Sequence, residues 1–493
     1  MRYLLTGREM KNWEKRAMEK YKVPSLLLME RAAQAVVREL FEGEYDLHRV
    51  LVVCGTGNNG GDGLAVARML RMKNISIEVC LIGSTESMSA DARLQLEMYQ
   101  AICGKIVTVS EDPEYTVIVD ALLGIGCNRD VTGKYANIIE YMNQAKAPVV
   151  SVDVPSGISA DTGKVCKIGV KADATVTFFT EKLGLVLYPG RDYCGKIIVD
   201  DLELPFDVTE ECRVITYHNE DLEKLPVRSN NSHKGTFGRV LVIAGSPKIA
   251  GAAYLASAAA YRMGAGLVKV FTTKENQIAM QTLLPEALLE IYDRKDSWEV
   301  QLAEALKWAD VVVIGPGLGT DDAAEQILKQ VIYETCVPVL VDADGINILA
   351  KHRNWMNEKK AEMILTPHVL EMARLLGIEK TAVQEDEMKI SQEFVEKYPV
   401  TLVLKDARTI VAKEKELLYI NTSGNSGMAT GGSGDVLAGI MGGLLAQKME
   451  AAEAARLGVY LHGRAGDAAA FKNSTYGMTA TDILDGMIEV IKE

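Results

Sequence analysis

The apolar positions of this chain follow two periods that alternate along its length. From Arg8 to Tyr21 and from Leu26 to Phe41 they recur at helical spacing, and from Arg49 onward short β-branched runs take turns with longer amphipathic stretches. Arg49–Cys54, Ile75–Ile82, Thr116–Asp120 and Pro148–Asp153 have strand length and are nearly continuous in apolar residues, the mark of strands covered on both faces in a parallel sheet. Helices between such strands predict an open α/β sheet. Ligands of that architecture collect beyond the carboxyl ends of the strands, where Asp120 and Asp153 stand.

Between Asp200 and Asn231 the pattern weakens into an acidic stretch broken by Leu204-Pro205-Phe206-Asp207 and Leu225-Pro226. It then resumes. Val240–Ala244, Val268–Thr272, Val311–Gly315, Val337–Asp342 and Met363–Thr366 are expected strands, separated by helices such as Ala252–Met263 and Asp322–Tyr333. Thr401–Lys405, Thr409–Ala412 and Glu416–Asn421 follow as short strands, with helices at Gly434–Ala446 and Ala451–Phe471. A boundary near Cys212 gives two expected α/β domains, 1–212 and 213–493.

Composition agrees with two domains, since 493 residues at 48% hydrophobic exceed the roughly 100 to 200 residues of an ordinary domain. A formal net charge of -13 argues against nucleic-acid or anionic-membrane partners, which are held by clustered Lys and Arg. A bound phosphate must then be gripped locally, by backbone amides and a few placed cations. The eight cysteines, Cys54, Cys80, Cys103, Cys127, Cys166, Cys194, Cys212 and Cys336, are scattered without metal-ligand pairs. They read as reduced residues of a cytoplasmic protein. Met1–Met10 lacks a signal-peptide pattern and no apolar run has bilayer length, so no membrane partner is expected.

Candidate chemistry begins where Gly55-Thr56-Gly57-Asn58-Asn59-Gly60-Gly61-Asp62-Gly63 carries the first strand into a helix. Glycines allow backbone N–H groups to converge on a phosphate, and the helix adds the positive end of its dipole. A tight turn with no ligand is the plain alternative. The asparagines and Asp62 add oxygen donors of the kind hard cations prefer. Gly124-Ile125-Gly126-Cys127-Asn128-Arg129-Asp130 and Asp153-Val154-Pro155-Ser156-Gly157 follow two further strands, and three such loops on one sheet edge point to a site rather than to helix caps.

NNGGDG, the GxGxxRD loop and DVPSG together resemble the NAD(P)H-hydrate epimerase family, a Rossmann-like open sheet, over about the whole first domain. The resemblance implies that Asn59, Asp120 and Ser156 hold a potassium ion. It also implies that Asn58, Asn59, Gly60, Gly61 and Asp62, with Gly124, Ile125, Gly126, Cys127, Asn128, Arg129 and Asp130, line the dinucleotide, and that Asp153 is the acid/base residue beside the hydrated nicotinamide ring. No redox step is needed. The ring nitrogen helps to expel the hydroxyl at the hydrated carbon, water returns on the opposite face, and one carboxyl group moves the proton.

The second domain holds a sharper motif, Asn425-Ser426-Gly427-Met428-Ala429-Thr430-Gly431-Gly432-Ser433-Gly434-Asp435, which joins an anion cradle to a carboxylate at the start of a helix. Lesser loops follow other strands, and taken alone His368 is more simply a helix cap than a ligand. As a set, HKGxxG, GPGLG, DADxxN, TPHxxE and GNSGMATGGSGDVLAG resemble the ADP-dependent (S)-NAD(P)H-hydrate dehydratase family, with its ribokinase-like fold, over nearly the whole second domain. Ala252, Gly317, His368 and Asp435 would contact the hydrated dinucleotide. Lys405, Asp406, Ala407, Arg408 and Thr409, with Asn425, Ser426, Gly427, Met428, Ala429, Thr430, Gly431, Gly432, Ser433 and Gly434, would hold an adenine nucleotide that carries magnesium. Asp406 departs from the Lys-Gly-x-x-Thr that the family commonly reads.

On this reading a phosphoryl group placed on the ring hydroxyl turns a poor leaving group into phosphate, with Asp435 as the base. Two alternatives stand beside it: a ribokinase-like kinase acting on a vitamin precursor, and a nucleotide sensor without catalysis. Carboxylates at both expected reaction centres, Asp153 and Asp435, speak against a sensor. Small-molecule substrates and a homo-oligomer are expected.

Overall fold

The structure, a computed structural model, describes residues 1–108, 114–204, 212–295 and 297–492. The chain divides into two compact units, Arg2–Arg213 and Val214–Glu493. Pro205, Phe206 and Asp207 of the expected linker lie outside the described residues.

In the first unit β1 (Val50–Cys54), β2 (Ile77–Leu81), β3 (Lys105–Val107), β4 (Val117–Ala121), β5 (Val149–Val152), β6 (Ala174–Phe178) and β7 (Lys196–Asp200) form one sheet in the order β3-β2-β1-β4-β5-β6-β7. Every pairing is parallel. The central strands β1, β4, β5 and β6 are buried along their whole length, as the apolar runs require. The chain winds from β1 out to β3, then crosses to β4 and winds the other way. The loops after β1 and β4 therefore diverge, and a crevice opens between them. Three strands escape the sequence pattern: β3 and β7 are short or half-exposed edges, and β6 alternates threonine with apolar residues although Thr175 and Thr177 are both buried.

In the second unit β8 (Val214–Thr216), β9 (Arg239–Ile243), β10 (Leu267–Thr273), β11 (Leu288–Tyr292), β12 (Val311–Ile314), β13 (Val339–Val341), β14 (Met363–Leu365), β15 (Thr401–Leu404), β16 (Ile410–Ala412) and β17 (Leu418–Ile420) stand in the order β8-β17-β16-β15-β14-β13-β12-β9-β10-β11. From β9 to β15 the pairings are parallel, while β16 is antiparallel to both β15 and β17. The winding reverses between β9 and β12, which again opens a crevice at the loops that follow them. The helix Ser433–Ala446 lies almost wholly buried against the helix Gly251–Arg262. Its glycines make that approach possible, since a Cβ on Gly439 would fall 2.1 Å from the carbonyl oxygen of Ala256.

Candidate active sites

The crevice of the first unit is a cavity of about 810 Å³. Asn58, Asn59 and Asp62 line it from the start of the helix Asn58–Met72, and Gly124, Ile125, Gly126, Cys127, Arg129 and Asp130 from the loop after β4. Asp153 faces it from the end of β5, whereas Gly60, Gly61 and Asn128 are absent from its lining. The glycines of the first loop divide the work. A Cβ on Gly60 would fall 2.0 Å from the carbonyl oxygen of Gly55, and one on Gly63 would fall 2.4 Å from Cβ of Ala121, so these two let the helix close on β1 and β4. Gly57, by contrast, borders open space and leaves the helix start bare.

Asp153 is held in place by its backbone and by a partner. Its φ of 67° lies in the left-handed region, which turns the side chain out of the strand direction. The ammonium of Lys182 donates to Asp153 Oδ1 at 2.5 Å, to Thr177 Oγ1 at 2.9 Å and to the carbonyl oxygen of Phe178 at 2.8 Å. Lys182 is wholly buried, and an ammonium is tolerated there only because all three of its hydrogens are used and its charge is matched. Lys182 stands outside every motif legible in the sequence.

Asp120 is absent from the cavity lining and lies at 0% exposure. Its carboxylate accepts from Ser151 Oγ at 2.8 Å, Ser156 Oγ at 2.5 Å, the Ser156 amide at 2.9 Å and the Leu122 amide at 3.2 Å. Burial pushes its pKa up, and those donors pull it back. The Leu123 amide donates to Ser156 Oγ at 2.8 Å, and Gly124 packs against the side chain of Asn59. Asn59, Asp120 and Ser156 are thus linked through one loop. The side-chain nitrogen of Asn59 is buried without a hydrogen-bond partner.

In the second unit Asp435 stands in the first turn of the helix Ser433–Ala446, whose cap residue Gly432 has φ 92°. A Cβ there would fall 2.4 Å from Cδ1 of Leu255 as well as straining the backbone. Lys405 Nζ donates to Asp342 Oδ1 at 2.6 Å, and that pair lies over Gly434, where a Cβ would be 3.3 Å from Nζ. Burial and the neighbouring charge of Asp342 push Asp435 up to about 7, against the pull of Lys405. For Lys405 burial works against the charge, but Asp342, Glu371 and Asp435 outweigh it and raise its pKa. Burial also brings Glu371 up to about 7 and His462 down to about 4. The His462 ring faces Ser433 Oγ at 3.3 Å, at the first residue of the helix.

The other expected residues of this unit fall into groups. Ala252 and Gly317 touch, a Cβ on Gly317 being 3.1 Å from that of Ala252. His368 caps the helix Val369–Leu376, its Nδ1 accepting from the amides of Leu370 and Glu371 at 3.1 and 3.2 Å. Arg408 donates to the carbonyl oxygen of Thr422, and Asp406 hydrogen-bonds to Glu387, which burial lifts to about 8 with help from that bond. Asn425 caps the turn Ser426–Met428 and is tied to Asp467 at 3.0 Å. Asp342 and Glu371 belong to the DADxxN and TPHxxE motifs, whereas His462 and Asp467 stand outside every motif legible in the sequence. Among the described residues no group of three or more His, Cys, Asp or Glu is placed to hold a metal, and no helix is long and apolar enough to cross a membrane.

Two α/β units, each with a switch-point crevice, a bare helix N-terminus and a carboxyl group beside it, define a nucleotide-handling enzyme with two sites. Residues 25–184 match the family model described as the YjeF-related protein N-terminus, and residues 240–489 match that of NAD(P)H-hydrate dehydratase. The chain is 39% identical to a bifunctional NAD(P)H-hydrate repair enzyme of Moorella thermoacetica, over 99% of this chain and 97% of that one. A counterpart in Coxiella burnetii is 38% identical over 98% of each. The ADP/ATP-dependent NAD(P)H-hydrate dehydratase of Bacillus subtilis, co-crystallised with ATP and Mg2+, superposes with a TM-score of 0.50 at 28% identity, over 56% of this chain and 96% of that one. The chain belongs to the family of bifunctional NAD(P)H-hydrate repair enzymes. Its second unit has the ribokinase-like fold, as in a ribokinase-like superfamily protein of Enterococcus faecalis that superposes with a TM-score of 0.50 at 31% identity, over 58% of this chain and 98% of that one.

Proposed function

We propose that the first unit interconverts the R and S hydrates of NADH and NADPH, and that the second uses ADP to dehydrate the S form, giving NAD(P)H, AMP and phosphate. The observation that carries this reading is the separation of the two acids: Asp153 and Asp435 belong to different compact units, each beside its own glycine-rich turn. One domain makes either hydrate available as the S form that the other consumes.

In the first unit Asp153 moves the proton while the loops Asn58–Asp62 and Gly124–Asp130 grip the dinucleotide. A potassium ion fits Asn59, Asp120 and Ser156, whose amide, carboxylate and hydroxyl oxygens form a hard donor set around a carboxylate buried away from water. In the second unit Asp435 takes the proton of the ring hydroxyl as it attacks the phosphoryl group. Gly432, Ser433 and Gly434 offer amides to the phosphoryl oxygens, and Lys405 balances their charge. Ala252, Gly317 and His368 bound the dinucleotide. Residues 405–409 and Asn425–Gly431 bound the adenine nucleotide, whose phosphates carry magnesium. A homo-oligomer in the cytoplasm completes the reading.

Incubating the purified protein with hydrated NADH, magnesium and ADP should restore the absorbance of reduced nicotinamide and release AMP and phosphate together. A stable phosphorylated product would instead mark a kinase, and ligand binding without turnover a sensor.

A further inference from the structure

Epimerisation removes a hydroxyl from one face of the ring and returns water to the other, so it calls for a proton donor and a proton acceptor on opposite sides. Asp153 supplies one of them. Lys182 cannot supply the other, because its three hydrogens are already committed.

A second carboxyl group reaches the same cavity from a different element. The helix Gly7–Tyr21 is fixed at its start by a capping box between Thr6 and Glu9, and it buries Met10, Trp13 and Ala17, with the Trp13 ring 3.8 Å from that of Phe179. One position along each turn, Lys11, Glu14 and Met18 are thereby turned to the cavity. The helix also rests on the loop after β4, where a Cβ on Gly7 would fall 2.8 Å from the carbonyl oxygen of Ile125. Among the described residues Glu14 has no hydrogen bond or ion pair. A rigid helix thus aims an unpartnered carboxyl group at space sized for a ligand.

We propose that Glu14 is the second proton-transferring group of the first site, acting across the ring from Asp153; this rests on the epimerase reading above. In one direction the Glu14 carboxylic acid protonates the departing hydroxyl. The carbon–oxygen bond breaks, water leaves, the ring nitrogen forms a double bond to that carbon, and Glu14 becomes a carboxylate. Water on the other face then bonds to the carbon and gives a proton to the Asp153 carboxylate. The reverse reaction exchanges the roles, and repeated turnover in one direction returns the proton from Asp153 to Glu14 through water.

Electrostatics suits the role. Burial lifts Glu14 to about 7, helped by Asp153 and opposed by Lys182 and Lys11, so donor and acceptor forms are both available near neutrality. Asp62, which shares the cavity, is also pushed well above the ordinary carboxylate range by burial, with Asp153 and Glu14 adding to the shift. Asp91, Cys127, Arg129, Asp130 and Tyr135 are the other titratable groups of the lining.

The test is Glu14→Gln in the full chain. Epimerisation kcat/KM should fall by about 100-fold or more, and the parent's alkaline limb near pH 7 should vanish. ADP-dependent dehydration of the S hydrate by the same preparation should be unchanged. If the variant lowers the first unit's unfolding midpoint, Glu14→Asp decides: it should keep part of the activity with a displaced alkaline limb. Parent-like epimerisation by Glu14→Gln, an unmoved limb in either variant, or loss of the limb in Asp62→Asn instead would overturn the inference. Failure of the epimerase reading itself looks different, for the parent would then not accelerate epimerisation at all.

Discussion

Asp153 and Asp435 each stand close to a lysine of their own unit, yet their surroundings are opposite. Asp153 leaves its strand in a left-handed turn and is paired at 2.5 Å with a wholly buried lysine. Asp435 begins a helix, and the lysine beside it is bound instead to Asp342 at 2.6 Å, so that burial and Asp342 hold Asp435 up at about 7. The same residue type is thus an ion-pair member in one unit and a weak acid poised near neutrality in the other. Surroundings, more than the motif, set what each carboxyl group can do.

The sharpest way to break this comparison is to remove one acid at a time. Asp435→Asn should lower dehydration by about 10² to 10⁴-fold and leave epimerisation of the hydrates intact, while Asp153→Asn should do the reverse. Equal loss of both activities in either folded variant would contradict two separate centres. Asp435→Asn should also raise stability at alkaline pH. The native carboxyl group keeps its proton to about 7, where the unfolded chain has already lost one from a group of ordinary pKa 3.8, so folding weakens as pH climbs through that window.

Next in size is Lys182→Met, which leaves Asp153 without its ammonium. It should cost the first unit about 3 to 5 kcal/mol, read in thermal or denaturant unfolding, and slow epimerisation. An unchanged midpoint would show that the pair contributes little. Asp120→Ala strips the acceptor from Ser151, Ser156 and Leu122 at once and should cost about 1 to 3 kcal/mol. It should also weaken ligand affinity at the first site and abolish its response to potassium. If the parent's affinity is flat across a potassium titration, the cation has no part in that site. The smallest effect is expected from Gly432→Ala, about 1 to 2 kcal/mol of backbone strain at φ 92°. Dehydration should slow while epimerisation stays at the parent's rate.

Much of the architecture was legible because buried parallel strands must be apolar on both faces, and β1, β4, β9 and β12 announce themselves in that way. β6 did not, since its threonines hide their hydroxyls in local hydrogen bonds: Thr175 to the carbonyl oxygen of Cys194, Thr177 to Asp153. Loops at strand ends drew attention to Asp153 and Asp435. Lys405 and Asp342, which act on Asp435, lay in motifs of their own, but the electrostatic partners of Asp153 were not legible. Lys182 follows Asp153 by 29 positions and Glu14 precedes it on a separate helix, and only folding brings such residues to one cavity. The NNGGDG glycines suggested phosphate contact by type alone, whereas Gly60 and Gly63 also close the helix onto the sheet. His368 illustrates the converse, for its capping bonds follow from the local Thr-Pro-His-x-x-Glu spacing.

The most direct test of opposed surroundings is the pH dependence of both reactions on one preparation of the intact chain. Asp435 must be ionised to act as a base, so dehydration kcat/KM should rise as pH climbs through about 7. Glu14 must keep its proton while Asp153 stays a carboxylate, so epimerisation should fall over the same interval. Crossing profiles are the predicted result, and two limbs that rise or fall together through neutrality would contradict it.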